Sequence, residues 1–140
     1  MTIETVLDRH PMPACARTLG WRMLDARPAD GWVRICFEAR PEFCNASGAI
    51  QGGFLAAMLD DAMGPAVLIA SDGALFGSTI DMTVSYLAPA RPGSLVGEAS
   101  VIRLGRTVGF VEARLMDERG LVVARATASV RITAIGKMAP

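Results

Sequence analysis

Histidine is nearly missing. His10 is the only one among 140 residues, and it stands beside Pro11 near the start of the chain. That scarcity argues against a Ser-His or Cys-His nucleophile pair and leaves too few ligands for an ordinary zinc site. Any acid–base chemistry therefore falls to a carboxylate, and neither metal nor cofactor is expected. Cysteine is scarce too. Cys15, Cys36 and Cys44 are odd in number and share no CxxC spacing, so they read as reduced thiols filling the core of a cytoplasmic protein. Net charge is absent: 14 acidic residues balance 14 basic ones, which gives no global pull toward nucleic acid or an anionic membrane. Of those basic residues only Lys137 is lysine. Arginine suits phosphate and carboxylate recognition, though codon bias accounts for the excess equally well. The opening MTIETVLDRH carries two acids and no apolar run, so no signal peptide is expected.

Apolar residues, by contrast, are abundant. They make up 51% of the chain against 20% charged, a surplus that self-association would bury. They concentrate in Asn45 to Ala70, where the turn formers Asn45, Ser47 and Gly48 lead through Gln51-Gly52-Gly53 into a run interrupted only by Asp60 and Asp61. Ala, Leu and Met dominate the run and it is too long for a strand, so a helix fed by a glycine loop is expected, buried on most sides. It is not read as a membrane span, because two central aspartates and Gly64-Pro65 interrupt it, and each such Asp costs roughly 2.5–3.5 kcal/mol in a bilayer. Adjacent aspartates on a buried helix leave two readings. Either one lies at an exposed edge while the other caps or pairs with an arginine, or a carboxylate stands at the wall of a site.

Taken in order, Ile3 to Arg9 reads as a short helix ended by His10-Pro11-Met12-Pro13. Arg17 to Arg27 and Trp32 to Arg40 read as two strands around Pro28-Ala29-Asp30-Gly31. After the helix, alternation and turn residues predict four strands: Leu75 to Leu87, Ser94 to Arg103, Thr107 to Met116 and Leu121 to Ile132. Small residues at Gly97, Ala99, Ala113, Ala124, Ala126 and Ala128 suggest a sheet that admits a thick object, the helix. The expected class is α+β, one helix against one antiparallel sheet of five to six strands, as a single domain over 1–140 with an N-terminal segment 1–14 and a loose tail 136–140.

Three blocks in order carry a family resemblance. Asn45, Gly48, Gln51-Gly52-Gly53 and Asp60 keep the spacing of an Asn…Gly…His-Gly-Gly…Asp motif. Asp81-Met82, Tyr86 and Pro89-Ala90-Arg91 form the second block, and Arg103-Leu104-Gly105-Arg106-Thr107 the third. Over roughly residues 30 to 133 the chain resembles the hotdog-fold acyl-CoA thioesterases of the phenylacetate-degradation (PaaI-like) type, in which a curved antiparallel sheet wraps one central helix. The one clear departure is Gln51 in place of the family histidine. Gln can donate and accept hydrogen bonds but cannot be charged.

The resemblance implies hydrolysis of an acyl-CoA thioester, with a small-to-medium or aryl acyl group, to free acid and CoA. It implies the Gly52 N–H as oxyanion donor and Asp60 as general base or nucleophile, with Asn45 orienting water or carbonyl unless it is merely an Asx-turn residue. It also implies a hydroxyl beside Asp60: anchoring on Asp81-Met82 gives Thr79, the preferred reading, and counting forward from Asp60 gives Ser78. Gln51, Gly53 and Tyr86 would contact substrate, and Arg91, Arg103, Gly105 and Arg106 would hold the CoA nucleotide. Burial would raise the Asp60 pKa, and Asp61, about 100° round the helix, would be structural, paired with an arginine. By the same resemblance the active unit is a homodimer with shared sites, paired again into a homotetramer. Two other classes stay open: a hotdog hydratase or dehydratase, which usually brings a histidine to the site, and a non-catalytic acyl-CoA-binding protein.

Overall fold

The computed structural model describes residues 4–137 and contains two helices, α1 (Ala14–Thr18) and α2 (Gly52–Ala70), with six strands. The strands are β1 (Arg22–Arg27), β2 (Trp32–Ala39), β3 (Leu75–Tyr86), β4 (Gly93–Leu104), β5 (Val108–Met116) and β6 (Val122–Ala134). They form one antiparallel sheet in the order β1-β2-β4-β5-β6-β3. Helix α2 leaves β2 near one side of the sheet and delivers the chain to β3 at the opposite edge. This is the hotdog arrangement, with the helix lying in the concave face.

The helix forms because its residues favour it and because the sheet takes its apolar side. Met58, Leu59, Ala62, Met63, Ala66 and Val67 are fully or almost fully buried. Each of the larger ones contributes about 1.5–3 kcal/mol by leaving water. The facing strands supply the small residues this approach needs. A Cβ on Gly97 would lie 3.0 Å from the Phe37 ring and 3.5 Å from the Ala62 Cβ, so nothing larger fits there without displacement. Burial is less complete than the composition suggests. Gly53 and Asp60 are exposed, and Ala57, Gly64 and Leu68 on the same side are half-buried, so one face of α2 is only partly covered within a single chain.

Pro65 lies inside α2 and removes the N–H that would bond the carbonyl four residues back, which is that of Asp61. Trp21 replaces it: its indole Nε1 donates to the Asp61 carbonyl at 3.2 Å. The helix therefore runs through a proline without leaving that oxygen unpaired.

The first half of the chain corrects several expectations. Residues from Arg17 do not begin a strand. Pro13 is the N-cap of α1, Arg17 Nη1 donates back to the Met12 carbonyl at 2.7 Å, and Gly20 at φ 66 turns the chain into β1. The expected first helix is a 3-10 turn, Val6–Arg9, closed by a reciprocal cap between Thr5 and Asp8, and Ile3 lies outside the described residues. Of the tail, Ile135–Lys137 forms a further 3-10 turn, and 138–140 lie outside. The cysteines are not core fillers either: Cys15 is exposed and Cys36 half-buried, and of the three only Cys44 packs against the core.

Candidate active site

The loop before α2 is tied down at both ends. The Asn45 side-chain oxygen accepts from the Ser47 N–H at 2.9 Å, the Ser47 hydroxyl at 2.7 Å and the Ala49 N–H at 3.3 Å. Asn45 is thus an Asx-turn residue, and its oxygen is not free to orient a ligand. Its Nδ2 keeps its protons available among the described residues. The Ile50 N–H donates to the Ala90 carbonyl at 2.9 Å and the Gln51 N–H to the Phe43 carbonyl at 2.8 Å, while the Phe43 and Phe54 rings stack at 4.2 Å. Gly48, at φ 80, makes the turn that these contacts require.

Gln51 is the N-cap of α2 but offers no side-chain cap, and it is exposed. Among the described residues neither the Gly52 nor the Gly53 N–H finds an acceptor. Two free donors at the positive end of a long helix form a ready seat for an oxyanion. The Tyr86 hydroxyl donates to the Gly52 carbonyl at 3.0 Å, and Arg91 Nη1 reaches the Ser47 carbonyl at 3.4 Å. Asn45, Gln51, Gly52, Gly53, Tyr86 and Arg91 therefore cluster at one end of the molecule.

Asp60 and Thr79 form a second group. Thr79 Oγ1 donates to Asp60 Oδ1 at 2.6 Å, and both residues are exposed within the chain. Of the two hydroxyl candidates it is Thr79 that meets the aspartate. The reason is strand alternation: a Cβ on Gly77 would meet the Val67 side chain of α2 at 3.2 Å, so Thr79 two residues on shares the helix-facing side while Ser78 faces away, and the register shifts only afterwards, at Ile80. Arg103 is the last residue but one of β4, and Gly105 and Arg106 lie on the β4–β5 turn that follows. Leu104 pairs with Gly109, Gly109 with Val130 and Val130 with Thr79, so this turn shares the Asp60 end of the sheet, about three strand spacings away. Gly105 is needed there because a Cβ would meet the Val108 carbonyl oxygen at 2.5 Å.

Eight residues of helix separate Gly52 from Asp60, about 12 Å at ~1.5 Å per residue. A single chain therefore presents two half-sites: donors at the helix start, and a carboxylate with its hydroxyl further along.

The burial expected at Asp60 falls instead on Asp61. Among the described residues Asp61 has no arginine partner, and its Oδ2 is enclosed with no hydrogen bond. Burial, helped by the neighbouring Asp60 charge, pushes the Asp61 carboxyl up to about 6 from 3.8. The folded chain then holds a proton that the unfolded chain has released between pH about 4 and 6. The stability that this proton contributes is full below that window and lost as pH rises through it. Allowing for the solvent that reaches the group, the loss amounts to about 1–2 kcal/mol. Asp61→Asn is expected to remove it: denaturant titrations from pH 4 to 7 should give a wild-type-minus-variant difference that falls across the window, and a flat difference would place the proton elsewhere.

The contact missed from sequence is Trp21 with Asp61. The signal was present, because a proline inside a helix marks the carbonyl four residues back as needing another donor.

Comparison with known proteins sets this geometry in context. The sequence pattern of the Thioesterase superfamily matches residues 47–124, more than half of the chain. A provisionally named esterase of Halobacterium salinarum is 36% identical over 115 residues, 79% of this chain and 72% of that protein. Acyl-coenzyme A thioesterase 13 of Homo sapiens is 32% identical over 91 residues, 64% of each chain, so this chain spans just under two thirds of that relative. Among solved structures, a phenylacetic acid degradation-related protein from Ralstonia eutropha JMP134 superimposes with a TM-score of 0.83 at 37% identity, covering 90% of this chain and 95% of that one.

Proposed function

The chain belongs to the Thioesterase superfamily, and on that premise we propose that it hydrolyses an acyl-CoA thioester to a free acid and CoA at sites shared between two subunits. The observation that carries the proposal is the exposed Asp60–Thr79 pair, a carboxylate fixed by a hydroxyl at 2.6 Å on a helix whose only other charged residue is Asp61. Nothing in the packing of one chain requires a charge there.

In this scheme the thioester carbonyl sits at the start of α2, where the Gly52 and Gly53 N–H groups receive its developing negative charge. Asp60, held by Thr79, removes a proton from water or attacks the carbonyl itself. The Asn45 Nδ2 orients the carbonyl or the water. Gln51 contacts the thioester region by neutral hydrogen bonds, where a histidine stands in the PaaI-like pattern. The acyl group is small-to-medium or aryl.

Shared sites follow from the spacing. A straight helix cannot bring its own Gly52 and Asp60 to one carbonyl, but a second chain running antiparallel to it can supply the missing half. Strand β3 supports such pairing. It is an edge strand with unpaired backbone groups, and Ile80 and Tyr86 on it are 60% and 54% exposed. The dimer would also cover the open face of α2, and two dimers would pair into a tetramer.

The direct test is thiol release from a panel of acyl-CoAs with no added metal or cofactor. Absence of turnover on every member would defeat the proposal. The arginines give a second measurement. Arg91, Arg103 and Arg106 would hold CoA phosphates, and contacts remote from the reacting bond give mainly uniform binding. Arg103→Ala and Arg106→Ala should raise KM for acyl-CoA by roughly 5- to 10-fold while changing kcat little. On an acyl-pantetheine thioester, which lacks the nucleotide, the effect should be small. Equal losses on the two substrates would remove these arginines from nucleotide binding.

A further inference from the structure

Tyr86 ends the edge strand β3, and its backbone is fixed by pairing with Ala124 and by the Leu87 N–H donating to the Val123 carbonyl at 2.8 Å. Its side chain lies against the first residue of α2 in two independent ways. The hydroxyl donates to the Gly52 carbonyl at 3.0 Å. The ring crowds the place of a Gly52 side chain: a Cβ there would meet ring carbons at 3.1 Å and the hydroxyl oxygen at 3.3 Å, so the ring would have to give by a few tenths of an ångström. Gly53, by contrast, has nothing within 4 Å of its missing Cβ. The two glycines therefore answer to different demands, Gly52 to a neighbour in its own chain and Gly53 to an open approach.

We propose that Tyr86 is a positioning residue for the oxyanion seat, clamping the Gly52–Gly53 peptide so that its N–H points out of the helix start. The inference rests on the thioesterase reading of that helix start. Its physical basis is that the Gly52 carbonyl and the Gly53 N–H belong to one peptide unit. A donor on the carbonyl restricts the plane of that unit and polarises it, which strengthens the N–H at its other end. The helix start needs such a device because Gln51 provides no side-chain cap and two glycines in succession leave the backbone loose. The Tyr86 hydroxyl has one proton and spends it on Gly52, so the residue acts on the substrate through the peptide and not as a donor to it.

Tyr86→Phe keeps the ring and removes only the hydroxyl. On acyl-CoA, kcat should fall roughly 5- to 10-fold, less than the loss from removing an oxyanion donor outright, with KM within about 2-fold of wild type. In the free protein the Gly53 amide should shift upfield by NMR, whether or not the protein turns over. Gly52→Ala should cost more in the wild-type background than in Tyr86→Ala, since the ring that crowds the methyl group is then gone. A raised KM at unchanged kcat would make Tyr86 a substrate contact and overturn the proposal, as would an unmoved Gly53 amide or strictly additive Gly52 and Tyr86 effects. If the wild-type protein hydrolyses no acyl-CoA while the Gly53 amide responds as described, the thioesterase reading falls and the clamp stands.

Discussion

Asp60→Asn is expected to lose at least ~100-fold in kcat on acyl-CoA, the range typical of a lost general base. The substitution keeps shape and can still accept from Thr79, so the fold and the 2.6 Å contact geometry should survive it. What is lost is the ability to take a proton or to form an acyl anhydride. The immediate neighbour is the internal control. Asp61 points about 100° away round the helix and its carboxyl is enclosed on one side, so Asp61→Asn should alter pH-dependent stability far more than rate. If Asp61→Asn abolished turnover and Asp60→Asn left it intact, the functional aspartate would be the other one.

Mixed dimers should recover activity that neither parent possesses. One parent carries Asn45→Ala together with a substitution at Gly52, which disables the donor half-site. The other carries Asp60→Asn, which disables the carboxylate half-site. Each homodimer has two dead sites. After partial unfolding and refolding together, a heterodimer contains one site with both defects and one with neither, so it should regain about half of wild-type activity, from a parental background at least ~100-fold lower. The ~12 Å between Gly52 and Asp60 along α2 makes this outcome a geometric expectation. A fully active monomer, or heterodimers that remain dead after exchange is verified, would show that each chain carries a complete site.

The helix and the four later strands were legible because their signals are local. Ala, Leu and Met fill α2, and alternation in β6 sets Ala124, Ala126, Ala128 and Val130 inward against Arg125, Thr127 and Arg131 outward. Arg17 to Leu19 misled because a turn of helix capped by Pro13 leaves no period to detect. Strand order was not legible from alternation: nothing in the pattern of β3 says that it pairs with β6, far from β4, which follows it in sequence. Around the candidate site, spacing singled out Gly52 and Asp60 but could not say which aspartate has its carboxyl enclosed. Helical geometry fixes the angle between neighbouring side chains and leaves open which of them faces the core. Counting forward from Asp60 and counting back from Asp81-Met82 disagree by one residue over Ser78 and Thr79, and the hydrogen bond to Asp60 decides for Thr79.

The indole that repairs α2 at Pro65 also gives the chain an internal optical probe. There are two tryptophans. Trp32 lies under the Arg27 guanidinium at 4.3 Å, away from the helix, while Trp21 holds the backbone of the residue whose carboxyl changes charge near pH 6. With Trp32 replaced by Phe, the remaining tryptophan emission comes from one ring fixed to the backbone next to Asp60. Its wavelength and yield would follow the ionisation of Asp61, and with it any partner or substrate that alters the solvent around this turn of the helix, without an attached dye.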